Sequence, residues 1–347
     1  MAMLSGSGSV GPVPAGTDRA RVDYLDGWRG LAILLLLVGH FRPIPGLELG
    51  TLGVSLFFVL SGLLMGRLLF VENTPIVVFY RRRISRIIPA HLVFVLLVVA
   101  VTLALGRAFS GREVLAAALF VNNYFWPTTD TGEAVMPFGH IWSLSVEEHA
   151  YILLATLALV SRHGWIGART ALLGATAVCT AVTAFYAHWN PPGLVFTWWL
   201  RSETAAYGIV LSALLLVVPL PDGRSTRRLA AAAPLLLLAA VACFWWSVPL
   251  FLQRIAGLGL LALSLHLLPL GPAVLRRCLA WPPLCRLGKW SFSIYLWQQP
   301  FYIWVRNEQG SLWLGIAGAL LAGLLSYALI EKPVRRWLNA NWAALPA

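Results

Sequence analysis

Residues 25–41 read LDGWRGLAILLLLVGHF. From Gly30 the chain stays mostly apolar to about residue 46, near the ~20 residues that a helix needs to cross a lipid core. Nine more stretches of this kind follow, at about 51–70, 87–106, 141–161, 167–187, 194–217, 229–249, 251–270, 288–306 and 311–331. A shorter one, Val114–Trp126, reads as a helix at the membrane surface or re-entrant. Alternating strands of ~10 residues are absent, which excludes a β-barrel. No internal repeat is visible. The reading is an all-α membrane protein, a bundle of about ten transmembrane helices.

Composition agrees. Of 347 residues, 59% are hydrophobic and only 12% charged, with 16 Trp. Soluble globular chains run at roughly 45–50% and 25%. Mean hydropathy is +0.76. The net charge of +12 would suggest a nucleic-acid partner in a soluble chain, but its distribution is decisive here. With the N-terminus placed in the cytoplasm, 20 of the 26 basic residues fall in cytoplasmic loops and ends and 6 on the other side. That is the positive-inside pattern, and it puts both termini in the cytoplasm. It also accounts for the charge without nucleic acid. Residues 1–22 read as a flexible polar tail with no signal-peptide pattern, 23–337 as the membrane domain and 338–347 as a short cytoplasmic tail. Nothing in the sequence suggests a second soluble domain after Ala347. Cys179, Cys243, Cys278 and Cys285 have no metal spacing and read as free thiols.

Charged and His residues inside apolar segments cost on the order of 2.5–3.5 kcal/mol each at mid-bilayer, so each needs a partner or a role. Arg29 and His40 are 11 residues apart, close to three helical turns. They therefore share a face at ~16 Å separation. Asp26, one turn before Arg29, can pair with it. On this reading His40 sits near the bilayer middle and Arg29 between it and the cytosol. Arg83 and Arg86 project together where the third segment begins, and two forked guanidiniums suit a phosphate-bearing ligand. Arg81 and Arg82 read as positive-inside anchors. The fourth segment opens His140-Ile-Trp142-Ser-Leu-Ser-Val-Glu147-Glu148-His149. Its adjacent carboxylates need a cation, an imidazolium or a sugar hydroxyl to face. Arg201 and Glu203 form another such pair.

Six blocks, LDGWRGLAILLLLVGH, GVSLFFVLSG, FYRRRISRIIPA, HIWSLSVEE, LGKWSFSIYLW and SYALIEKPVRRW, lie in order over residues 23–337. In this the chain resembles the acyltransferase-3 family of multi-pass membrane O-acyltransferases. The resemblance implies acyl transfer, acetyl or short-chain, from a cytosolic acyl-CoA donor to a hydroxyl. The acceptor it implies is a surface glycan or a glycosylated small molecule. No permanently bound cofactor is implied, and the partners are the two substrates and membrane lipid. It makes His40 and Arg29 the essential pair, Arg83 and Arg86 the CoA site, and Trp142 and Glu147 part of the site. The chain departs from the family at Ser55, His91, His149 and Gln298, which stand where an acid, Tyr, Gln and His are usual. These departures bear on the acceptor pocket, for which Glu148, Trp142, Arg201 and Glu203 are candidates.

The residues fit that chemistry independently. An imidazole, with an ordinary pKa of ~6.5, is the usual base for a hydroxyl near neutral pH. His40 is assigned that role, and Glu147 is expected beside it as the third member of a triad. HExxH and Cys/His metal spacings are absent, so no metal is assigned. The alternative is a non-catalytic transporter of glycans or solutes. Such carriers usually show related halves and interrupted helices, and neither is evident in the sequence.

Overall fold

The computed structural model describes residues 16–125, 135–189, 197–219, 223–307 and 309–343. Among them all regular structure is helical: α1 (Gly16–Phe41), α2 (Leu49–Gly66), α3 (Ile76–Ala104), α4 (Gly111–Ala118), α5 (Ile141–Arg162), α6 (Ala168–Trp189), α7 (Ser202–Ala205), α8 (Tyr207–Val217), α9 (Arg224–Ala231), α10 (Ala233–Cys243), α11 (Leu250–Leu252), α12 (Leu258–Leu267), α13 (Ala273–Leu279), α14 (Pro282–Arg306), α15 (Leu312–Ser326) and α16 (Lys332–Ala343). Each of the ten apolar stretches coincides with one or more of these helices.

Six helical runs are long and apolar enough to cross a membrane: Leu49–Val71, Ile76–Ala104, Ile141–Arg162, Ala168–Trp189, Leu250–Leu267 and Leu312–Trp342. The pair α9 and α10, bent by 48°, makes a seventh if it is one span. The remaining expected spans fall short for physical reasons. α1 carries Asp26, Arg29 and His40, and α14 carries Arg286, Lys289, Gln298 and Gln299. α7 and α8 together are short. Both polar helices are central. α1 packs along α14 and α2, so their polar groups face protein rather than lipid.

Small residues let these backbones touch. A Cβ on Gly30 would lie 2.0 Å from the carbonyl oxygen of Leu284, and one on Gly288 would lie 1.8 Å from that of Asp26. Only hydrogen fits at this α1–α14 crossing. On the other side of α1, the fully buried Trp28 donates its indole N–H to Leu56 O of α2 at 3.0 Å. α2 in turn meets α8, where Ser212 donates to Val59 O at 2.6 Å.

Three expectations change. Residues 16–22, assigned to the tail, belong to α1, and α16 continues past residue 337 to Ala343. The helices are also interrupted. Wide π turns occur at Arg67–Val71, Gln253–Gly257 and Tyr327–Glu331. A π turn adds one residue to an otherwise apolar helix and leaves hydropathy unchanged, so no sequence pattern marks it. The stretch at 114–126 is the short helix α4 followed by a single 3-10 turn, Asn122–Tyr124, and Trp126 lies outside the described residues. Glu113 ties α4 back by accepting from the N–H groups of Val135 and Met136.

Candidate active site

Three helices, α1, α5 and α14, run past the same two cavities, α5 in the opposite direction to the other two, and α2 completes both. The first, the arginine cavity, is a narrow space of about 80 Å³. Arg29 enters it from α1, Arg83 and Arg86 from α3, Glu147 and Tyr151 from α5, and Ser61 from α2. Arg29 and Arg83 also line a neighbouring space, the vestibule, of about 550 Å³, which Asp26, Arg67 and Glu72 line as well.

The charges here are unevenly matched. Arg29 donates to Asp26 at 2.9 Å. Arg83 lies over the Tyr151 ring at 4.9 Å and reaches the Tyr151 hydroxyl at 3.3 Å. Neither Arg83 nor Arg86 forms an ion pair with any described residue. Glu147 accepts from the hydroxyls of Ser61 at 2.9 Å and Tyr151 at 2.8 Å. Two guanidiniums are thus held together without carboxylate contacts, an arrangement that suits an incoming anion.

The second, the histidine cavity, is a space of about 400 Å³ at the far end of α1. His40 is in the last turn of α1, one residue before the helix ends at Phe41. It therefore sits at the helix end, not mid-span as the sequence suggested. Its Nδ1 is 2.8 Å from Gln298 Oε1, and its ring stacks on Tyr302 at 4.6 Å and 20°. Gln298 and Tyr302 are four apart on α14, so one helix face holds the imidazole. The amide orientation of Gln298 is fixed in turn, because its Nε2 donates to Gln299 Oε1 at 3.2 Å. A carbonyl oxygen can only accept, so His40 Nδ1 carries the proton and Nε2 is left as the basic nitrogen. Trp142, Trp199 and Trp246 line the same space, with Glu48 and Arg306 at its edge.

Tyr295 and Val54 line both cavities and form the partition between them. The Tyr295 hydroxyl donates to His140 O. Having one proton, it accepts from Ser143, whose Oγ is 2.6 Å away. Along α5 the order is Trp142 at the histidine cavity, Ser143 at the partition and Glu147 at the arginines. Along α14 it is Ser291, Tyr295 and Tyr302.

The sequence-derived site is accordingly split. Arg29, Arg83, Arg86 and Glu147 come together, and His40 and Trp142 come together. The partner of His40 is Gln298 and not Glu147, whose oxygens are held by Ser61 and Tyr151. Glu147 begins about two turns into α5, past the partition, because α1 carries His40 to its very end. Glu148 lines neither cavity. Arg201 and Glu203 close on each other at 2.5 Å. Glu203 also accepts from Tyr124 and Tyr186 and lines a separate apolar groove with α5 and α6. Neither lines the histidine cavity. Among the described residues no three of His, Cys, Asp and Glu are grouped as for a metal ion. Gln298 was visible in the sequence only as a departure from a family motif. Tyr302, Tyr295 and Trp199 gave no signal, since aromatics are abundant in membrane segments.

A model of the acyltransferase domain matches residues 22–330. The chain belongs to this family of membrane acyltransferases. It is 25% identical over 357 residues to the O-acetyltransferase OatA of Staphylococcus aureus, an alignment covering 93% of this chain and 58% of OatA. The chain thus spans little more than half the length of that relative. It is 31% identical over 350 residues to BcsY of Komagataeibacter xylinus, which carries the name membrane-bound transacylase, covering 89% of this chain and 81% of BcsY. No solved structure matches.

Proposed function

We propose that this membrane acyltransferase moves an acyl group, acetyl or short-chain, from cytosolic acyl-CoA to a hydroxyl of a sugar-containing acceptor. The observation that carries the reading is the pairing of an arginine cavity with an imidazole cavity across the Tyr295 partition. The bundle has ten spans with both termini cytoplasmic, as the 20-to-6 distribution of basic residues favours. The vestibule and the arginine cavity then face the cytoplasm, where CoA is found. Arg83 and Arg86, free of carboxylate contacts, take the CoA phosphates, and Arg29 guides the acyl-bearing arm inward. The aromatic histidine cavity faces the other side and takes the sugar, whose apolar ring faces stack on indoles.

His40 Nε2 removes the acceptor hydroxyl proton as the oxygen attacks the thioester carbonyl carbon. The carbon–sulfur bond breaks, the oxygen–acyl bond forms, and the proton passes from His40 to the departing CoA sulfur. Gln298 is the positioning residue. Its neutral amide fixes the tautomer of His40 without holding the imidazolium, so the proton is easily given up. Family membership and the names of OatA and BcsY support acyl transfer over the transporter alternative, although the interrupted helices no longer argue against a carrier.

The test is purified protein with acyl-labelled CoA and a carbohydrate acceptor. The enzyme releases free CoA thiol and labels the sugar, and His40→Ala does neither. A wild-type protein that leaves acyl-CoA intact while moving sugar across vesicles would establish the carrier instead.

A further inference from the structure

Arg67 is used by none of the chemistry above. It opens the π turn Arg67–Val71 that follows α2, and it lines the vestibule with Arg29 and Arg83. Its Nε donates to Glu72 at 2.8 Å. Its two terminal nitrogens make no hydrogen bond to any described residue. The side chains of Arg67 and Glu72 are 52% and 43% exposed, and an ion pair with that much water access contributes little. Glu72 therefore orients the guanidinium by one nitrogen and leaves the other two to donate elsewhere.

The turn beneath Arg67 is held firmly. Arg162 of α5 donates to Leu69 O at 2.8 Å and to Thr74 O at 3.0 Å. The Glu72 N–H returns to Arg67 O, and the Thr74 N–H to Leu68 O, each at 2.9 Å. Single π turns of this kind are frequent at functional sites.

The two spaces on the donor side differ in size, about 80 Å³ for the arginine cavity and about 550 Å³ for the vestibule. Sites that enclose drug-sized ligands run at about 300–1,000 Å³. The adenosine of an acyl-CoA needs a space of the second kind, and its slender pantetheine arm fits the first. Arg29 and Arg83 line both spaces, so the diphosphate that joins arm to nucleotide lies where they adjoin. The remaining phosphate, on the 3′-oxygen of the ribose, stays with the nucleotide in the vestibule and needs a cation of its own. Arg29 is engaged by Asp26 at 2.9 Å, and Arg83 belongs to the diphosphate. His266, the other basic side chain on the lining, is bonded to Ser212 Oγ at 3.1 Å. Arg67 is the one that is left.

We propose that Arg67 receives the ribose 3′-phosphate of the donor and makes the vestibule select CoA thioesters over thioesters that lack this phosphate. This deepens the proposed function and rests on its reading of acyl-CoA as the donor.

The full chain in detergent is titrated with acetyl-CoA and with acetyl-3′-dephospho-CoA, and binding is read by calorimetry. The wild type binds acetyl-CoA about tenfold tighter, as a charge-assisted hydrogen bond supports. Arg67→Gln lowers the affinity for acetyl-CoA to that for the dephospho donor, whose own affinity stays within about twofold. Arg67→Glu puts a second carboxylate beside Glu72 and makes the dephospho donor the tighter of the two. Arg67 is half exposed, so both variants are expected to fold, and either one alone carries the test. The Arg83→Gln, Arg86→Gln double variant weakens both donors alike. Equal binding of the two donors by the wild type, equal losses of both in the Arg67 variants, or a preference that survives Arg67→Gln would overturn the assignment. Turnover of acetyl-CoA is measured on the same preparations. Turnover without a preference for the 3′-phosphate would sink this inference and leave acyl-CoA as the donor. A wild type that binds neither thioester and turns over neither would sink the donor reading itself.

Discussion

The arginine and histidine cavities are built by the same helices and have opposite character. One is tight and cationic, with Arg29, Arg83 and Arg86 on one side and a single hydroxyl-bonded carboxylate, Glu147, on the other. The other is wide and aromatic, with the His40 imidazole presented by Gln298 and Tyr302 and His140 also on its lining. A phosphate-bearing donor and a sugar acceptor need these two environments, and neither could bind well in the other's. On the proposed function, the contrast gives two polar residues of α1, Arg29 and His40, different jobs. Eleven residues of helix, ~16 Å, would then separate recognition of the donor from removal of the acceptor's proton.

Several substitutions can break or sharpen this contrast. The largest effect is expected for His40→Ala, which removes the imidazole that Gln298 and Tyr302 hold at the aromatic cavity. Turnover should fall by about 10²–10⁴-fold, the usual contribution of a general base, with the protein still inserted and folded. Near-normal turnover would make His40 a packing residue.

Next comes the double substitution Arg83→Gln with Arg86→Gln. It should weaken acyl-CoA binding by about tenfold or more, since hydrogen bonds to charged groups are the strong ones, and leave sugar binding unchanged. The neighbouring pair Arg81→Gln with Arg82→Gln should change it little. Equal losses from the two pairs would reduce the arginine cavity to general positive charge.

A smaller loss, about tenfold in kcat, is expected for Gln298→Leu, which leaves His40 Nδ1 without its buried acceptor. Acyl-CoA binding should be unaffected, and Gln298→His, the residue usual at this place in the family, should recover part of the rate. An unchanged kcat in the Leu variant would remove Gln298 from the account. The smallest effect is expected for Glu203→Gln. Its partners Arg201, Tyr124 and Tyr186 belong to a separate groove, so turnover should stay within about twofold, as an ion pair with water access contributes little. A large loss there would move the acceptor away from the histidine cavity.

Much of this architecture was legible in the sequence. The apolar stretches located the helices, because in lipid the length of an apolar run is itself the structural signal. The Arg29–His40 spacing and the Arg83–Arg86 spacing followed from helical periodicity alone. The depth of His40 did not, since periodicity fixes the face of a residue and leaves open where the helix stops. α1 stops at Phe41, and that one fact moved His40 to the helix end and separated it from Glu147. The pairing of His40 with Gln298 joins residues 258 positions apart, which no local pattern carries. Arg201 and Glu203 looked like a site because they are a charge pair in an apolar segment. Two tyrosines from other elements satisfy Glu203 instead, and only tertiary structure brings them there.

The central claim is that donor recognition and proton removal reside in different cavities. The equilibrium binding of acyl-CoA to purified His40→Ala tests it most directly. The account predicts an affinity within about twofold of the wild type's, because His40 lies beyond the Tyr295 partition from the arginines, while turnover in the same preparation is lost. An affinity that falls as far as it does in the Arg83→Gln, Arg86→Gln double variant would place His40 and the donor in one site and contradict the account.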